Sequence, residues 1–245
     1  MENTNFRSTN INNIQDATIV NSSTLLRSVF SWMTLALVIT TIASMLFAFV
    51  PALKDVMFFE SEFGARMTTL GYVISFSPLV FVLLMSFGFN RLSYIALIGV
   101  FLAFATLMGI SLSSIFIQYK LGSILNVFLS SVALFAVMAI AGYTTKTDLT
   151  KMGSLLMIGL IGIVIASVIN IFMQSDKMSF ICSILGVIIF TGLTAWDVQK
   201  IKNLAAEDDG STPFRKLAVM GALNLYLDFI NIFLYLLRLF GGRKD

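Results

Sequence analysis

Histidine is absent from all 245 residues. That removes imidazole zinc ligands, a Ser-His-Asp triad and imidazole-based pH sensing together. Cysteine is reduced to Cys182, which cannot close an internal disulfide and lies in an apolar run, as a small buried hydrophobe does. No neighbouring cation would stabilise its thiolate, so a reactive thiol is not expected. Charge is the third scarcity. Asp, Glu, Lys and Arg make up 12% of the chain, against about a quarter in a soluble domain. So little polar surface excludes a soluble globule. The net charge of +3 is small, and no dense basic cluster points to nucleic acid. No motif pairs a nucleophile with a base, so neither an enzyme nor a cofactor is expected.

What the chain has instead is long uncharged runs. No charged residue occurs between Arg27 and Lys54, Arg66 and Arg91, Arg91 and Lys120, Lys120 and Lys146, Lys151 and Asp176, or Lys177 and Asp197. Each run can supply the ~20 apolar residues that cross roughly 30 Å of hydrocarbon. A seventh, Leu217 to Leu237, is broken only by Asp228. The expectation is a seven-helix transmembrane domain over 29–240, with spans near 30–50, 70–89, 93–116, 122–142, 152–173, 179–203 and 217–239. Helices are required because lipid cannot satisfy open backbone groups, and no ten-residue alternation suggests a barrel. Residues 1–28 read as a polar cytoplasmic tail without a signal-peptide core, and 241–245 as a basic tail. Pro51–Thr68 and Asn203–Lys216 read as the longest connections, the second with a turn signal at Glu207–Gly210 and Pro213. Pro78 should kink the second span. Gly99, Ala103 and Gly109 in the third span, and Gly153, Gly159, Gly162 and Ala166 in the fifth, read as helix-packing residues.

The distribution of Lys and Arg places the N-terminus inside. Inner segments would then hold Arg7, Arg27, Arg91, Lys146, Lys151, Lys200, Lys202, Arg215 and Lys216, and outer loops only Lys54, Arg66, Lys120 and Lys177. The tail, with Arg238, Arg243 and Lys244, conflicts with this count if the seventh segment crosses fully, and agrees with it if that segment re-enters.

A charge at the bilayer centre costs a few kcal/mol even on the lenient insertion scale, so it faces the bundle interior. Asp228 shares a helical face with Gly221, Asn224, Asn231, Tyr235 and Arg238 at steps of three and four. This polar stripe predicts a central seventh helix, with Phe229 and Phe233 on its other faces. Asp197 lies ~10 Å from the inner end of the sixth span, and Asp228 ~16 Å into the seventh, depths compatible with contact. Ser183, Gly186, Thr194 and Asp197 share the face of the sixth helix that would meet the stripe. Two carboxylates in one low-dielectric place cannot both ionise cheaply, so the pair would share a proton and respond to pH. Carboxylate oxygens also suit Ca²⁺. The plainer reading makes Asp197 an interfacial residue near Lys200 and Asp228 an interhelical tie.

The segment Thr191–Lys202, containing Ala195-Trp196-Asp197-Val198-Gln199, together with Ala222–Arg238, containing Tyr226-Leu227-Asp228-Phe229-Ile230-Asn231, resembles the transmembrane Bax-inhibitor-motif family. Gly142–Gly153 and Leu25–Thr34 are similar to segments of its bacterial members. The resemblance implies six helices wrapped around a central C-terminal one. It also implies a pH-sensitive calcium leak gated by the aspartates at Asp197 and Asp228, with Arg91 as a latch for the pair. Thr194, Asn224, Asn231 and Tyr235 would line the pathway, in a bacterial inner membrane. Some bacterial relatives are described as modulators of a membrane-bound AAA protease, so a regulatory partner protein is the second reading. A proton-coupled transporter is the third.

Overall fold

The computed structural model describes residues 3–61, 64–205 and 212–244, with side chains described at 24–61, 66–205 and 214–244. Nearly all of this chain is helix. Eight helices and one hairpin follow in order: α1 (Asn3–Phe49), α2 (Pro51–Met57), β1 (Phe58–Ser61), β2 (Gly64–Met67), α3 (Thr69–Gly88), α4 (Tyr94–Gln118), α5 (Leu121–Thr144), α6 (Thr150–Met173), α7 (Asp176–Ala205) and α8 (Thr212–Phe240). Seven are long and apolar enough to span a bilayer, α1 through its Thr24–Phe49 portion and α2 being the exception. The protein is therefore an all-α integral membrane bundle. The segment expected as a polar tail is helical backbone from Asn3. The turn signal at 207–210 falls outside the described residues.

Local sequence sets the helix boundaries. Thr68 caps α3 by accepting from the Gly71 amide at 2.8 Å, and Ser93 caps α4 by accepting from Ala96 at 3.2 Å. Pro51 starts α2 at a position where a missing N–H costs nothing. Pro78, inside α3, removes the amide that would bond the Ile74 carbonyl. That carbonyl accepts instead from the Ser77 hydroxyl at 2.7 Å and from Ser111 of α4 at 3.3 Å. The proline thus ties α3 to α4, a packing role, and its freed backbone group is satisfied inside the bundle as lipid requires. The connection expected as a plain loop over Pro51–Thr68 holds α2 and the antiparallel β1–β2 hairpin, with Phe58 opposite Met67.

Helix α8 is the axis. It packs against α1, α4, α5 and α7, while α3 leans on α4 and α6 on α7. Its Ala218, Ala222, Leu225, Tyr226 and Ile232 are fully or almost fully buried. Tyr226 meets Phe101 and Phe104 edge-on, and its hydroxyl shares a 2.7 Å hydrogen bond with Thr40, which also donates to the Ala105 carbonyl. Three helices are joined through that one buried phenol.

The two ends of the bundle are equally defined. At one end Gln199 of α7 meets the α5–α6 loop, Lys202 the last turn of α5, and Lys216 of α8 meets Phe89 after α3. At the other, the tail after α8 bonds the α4–α5 connection, with Lys120 N–H donating to Gly242 O and Lys244 N–H to Gln118 O, both at 2.9 Å. Helix α8 therefore runs the whole length of the bundle as one uninterrupted 29-residue helix, without the break that a re-entrant segment would need. Of the expected packing residues, Gly109 backs onto Thr40 of α1 and Gly153 onto the Trp196 ring. Gly99 and Gly162 meet nothing within 4 Å and lie on open helix faces, which corrects their assignment to helix contacts.

Candidate functional site

Asp197 of α7 and Asp228 of α8 lie on two helices that pack along each other, within electrostatic reach. Both are buried, at 8% and 5% exposure. Asp228 Oδ2 is enclosed without a hydrogen-bond partner. An unpartnered carboxyl oxygen of this kind costs several kcal/mol in hydrocarbon. Beside a second carboxylate the cost of ionising both rises further. The nearest cation to Asp197 in sequence, Lys200, lies over the Trp196 ring, 5.3 Å from its centroid.

The facing surfaces of α7 and α8 pack through small and aromatic residues. Gly186 lies directly against the Tyr235 ring, and Phe190 stacks on Tyr235 with centroids 5.9 Å apart. Thr194 is fully buried and donates to the Phe190 carbonyl at 2.8 Å, within its own helix. Asn231 is half-buried and donates to the Leu227 carbonyl at 2.8 Å, which leaves its carbonyl oxygen available. Asn224 is also half-buried. Burial on α8 is broader than its polar stripe. Phe229 and Phe233, expected on less critical faces, are more enclosed than either asparagine and contact Phe128 of α5 edge-on.

Arg91 stands apart. It is exposed in the turn between α3 and α4, and no hydrogen bond or ion pair joins it to either aspartate. Among the described residues no third carboxylate or thiol completes a metal-binding set. Two carboxylates fall well short of the six to eight oxygens of a calcium storage site.

A polar cavity approaches the pair from the tail end of the bundle. It has a volume of about 580 Å³ and lies among α6, α7, α8, the end of α4 and the tail. Its lining includes Asn231, Tyr235, Arg238 and Arg243. Asn231 is one helical turn from Asp228, about 4.5 Å along the axis.

Sequence reasoning missed the clamp at the opposite end. Gln199, 7% exposed, donates to Thr147 O and accepts from the Leu149 amide, both at 2.8 Å. Lys202 donates to Tyr143 O at 2.7 Å and lies over that ring. Gly142 admits the Ala195 backbone, and Gly153 the Trp196 ring. The stretch from Ala195 to Lys202 thus locks onto Gly142–Gly153 around the aspartate. A glutamine two positions from a buried Asp was the available signal.

Comparison with known proteins agrees. The family model described as inhibitor of apoptosis-promoting Bax1 matches residues 22–245. Inner membrane protein YbhL of Escherichia coli (strain K12) is 38% identical over 223 residues, covering 90% of this chain and 92% of its own. Rickettsia prowazekii protein RP147 is 39% identical over 217 residues, 89% of each chain. A Borreliella burgdorferi protein is 41% identical over 221 residues, covering 90% and 92%. With the signature segments folded around one buried aspartate pair and the match running from Ser22 to the last residue, the chain belongs to the Bax inhibitor-like family.

Proposed function

We propose that this protein is a passive, proton-regulated cation leak, with Ca²⁺ as its transported ion and the Asp197–Asp228 pair as its gate. The observation that carries this reading is the orphaned Asp228 oxygen, buried beside a second carboxylate and one turn from a polar cavity. Protonation of the shared site would remove charge from the gate, and deprotonation would restore a cation ligand there. The clamp at Gln199 and Lys202 holds α7 fixed beyond the pair, so the change acts on α8 and the α7–α8 contact. The family resemblance supports the same assignment. Residence in a bacterial inner membrane, with the N-terminus cytoplasmic, is part of the proposal. It follows from the Lys and Arg distribution and from the inner-membrane description of the Escherichia coli relative.

The test is calcium flux into proteoliposomes that contain only this protein, measured across pH. PH-dependent flux above that of protein-free vesicles is expected. A folded protein with no flux at any pH overturns the reading and leaves a regulator that acts through a protein partner. Stoichiometric proton counterflow would show a coupled transporter instead. Orientation is checked with single cysteines at Thr4 and Lys177, in a chain where Cys182 is replaced by Ser. An impermeant thiol reagent should reach them from opposite sides.

A further inference from the structure

The polar cavity at the tail end has a second property that cation passage does not explain. Its charged lining is all of one sign. Arg238 and Arg243 contribute guanidinium groups, and no carboxylate lines it. Both arginines are exposed, and no ion pair engages either of them among the described residues. Arg238 lies 5.8 Å from the centroid of Tyr235, which turns it along the cavity wall. Asn170 accepts from the Ser175 amide through its carbonyl oxygen, so its amide nitrogen remains a free donor at the same cavity. Two guanidinium forks, an amide donor and a phenol around about 580 Å³ form a donor-rich concavity. Planar multi-donor groups of this kind recognise phosphate oxygens.

The geometry points to a phosphate-binding site at this mouth, walled by Arg238, Arg243 and Asn170. The tail's hydrogen bonds to the α4–α5 connection hold the Arg243 backbone beside the cavity, from which its side chain can reach the phosphate. On one flank Ile171 is 69% exposed and continues the exposed apolar surface of α6, so the phosphate of an anionic phospholipid can enter from the side. A free phosphate can enter from the end. The site does not depend on the aspartate pair conducting ions. Bound phosphate would offset the two guanidinium charges, which otherwise repel cations from the mouth.

Cys182 lines the same cavity and is the chain's one thiol, which makes it a reporter. The experiment follows the reaction of Cys182 with a neutral maleimide, together with thermal unfolding, in the purified full chain. Three preparations are compared at equal ionic strength. One has phosphatidylcholine vesicles in chloride, one the same vesicles in inorganic phosphate, and one vesicles that also contain phosphatidylglycerol. Phosphate chemistry should slow labelling severalfold and raise the unfolding midpoint. Arg238→Gln/Arg243→Gln should lose both responses. Should that double variant fail to fold, Arg243→Gln alone, beyond the end of α8, should show a reduced response. A response to phosphatidylglycerol only identifies a lipid headgroup, and one to inorganic phosphate identifies a soluble ligand. If neither reagent alters labelling or melting, or if the arginine variants respond as the wild type does, the site is refuted.

Discussion

Helices α6 and α8 are both spans of ordinary length, yet they are used in opposite ways. Helix α6 is the more apolar of the two and only 6% of its most apolar window is buried, whereas for α8 the figure is 67%. In water the more apolar helix would be the buried one. In a bilayer the solvent is itself apolar, and burial goes to the helix with groups that lipid cannot satisfy. Asn224, Asp228, Asn231 and Tyr235 draw α8 to the centre. Helix α6, whose apolar flank runs through Leu155, Ile158, Ile161 and Ile165, is left at the rim.

The largest effect expected of any single substitution is at the pair that draws α8 inward. Asp228→Asn fixes a neutral side chain, so calcium flux should lose most of its dependence on pH. Asp197→Asn should do much the same, and the double variant should add little, because coupled sites titrate as a unit. Single variants that keep the wild-type profile, or effects that add, would reduce α8 to a structural core helix.

Stability offers a second way to break the contrast. Phe229→Ala on α8 empties a site enclosed by Phe128 and Phe135 and should cost about 3 kcal/mol through the cavity it leaves. Phe172→Ala on α6 removes a ring that is 83% exposed and should change stability by less than about 0.5 kcal/mol. Unfolding in mild detergent measures both. Comparable losses would show that α6 is covered by something other than lipid.

Much of this architecture was legible in the sequence, for a physical reason. Hydrocarbon thickness and the cost of charge set helix length almost independently of packing. The expected span 152–173 therefore lies within α6 at Thr150–Met173, and 70–89 is close to α3 at Thr69–Gly88. The burial of Asp197 and Asp228 was legible because each carboxylate is too costly to face lipid. What hydropathy could not show was which small residues touch a neighbour. Gly153 meets Trp196 and Gly162 meets nothing, though they sit in similar apolar surroundings. Nor could a charge count foresee the tail. Arg238 and Arg243 lie at the end that is otherwise poor in cations, and they line a cavity there. The short hairpin after α2 was hidden because four-residue strands carry too little periodicity to be read.

A smaller effect than the core cavity is expected where α7 holds the α5–α6 loop. Gln199→Leu removes two hydrogen bonds and leaves Thr147 O and Leu149 N–H without them, a loss of about 2 kcal/mol. Because the loop leads directly into α6, exchange of the Leu149 amide should speed up while amides in mid-α8 stay protected. Equal acceleration in both helices would mean that rim and axis unfold as one unit, and the contrast between them would have no energetic content.

The smallest effect belongs to the exposed start of α6, where polar structure is confined to the helix end. Asp148 accepts from the Thr150 hydroxyl at 2.6 Å and the Thr150 amide at 2.9 Å. These bonds, the hydroxyl's first, hold its carboxyl below the ordinary value of 3.8. The positive end of the α6 dipole favours the same ionised form. A depressed folded-state value means that the ionised side chain contributes stability above the unfolded value, and that this is lost as pH falls through the folded one. Asp148→Asn should therefore lower the unfolding midpoint slightly at neutral pH, and the gap from wild type should close as the solution is taken below about pH 4. The carboxyl is fully open to solvent, so added salt should narrow the neutral-pH gap as well. A gap that stays constant from neutral to acid would mean that the side chain acts through shape rather than charge. The start of α6 would then be held by the Gln199 clamp alone.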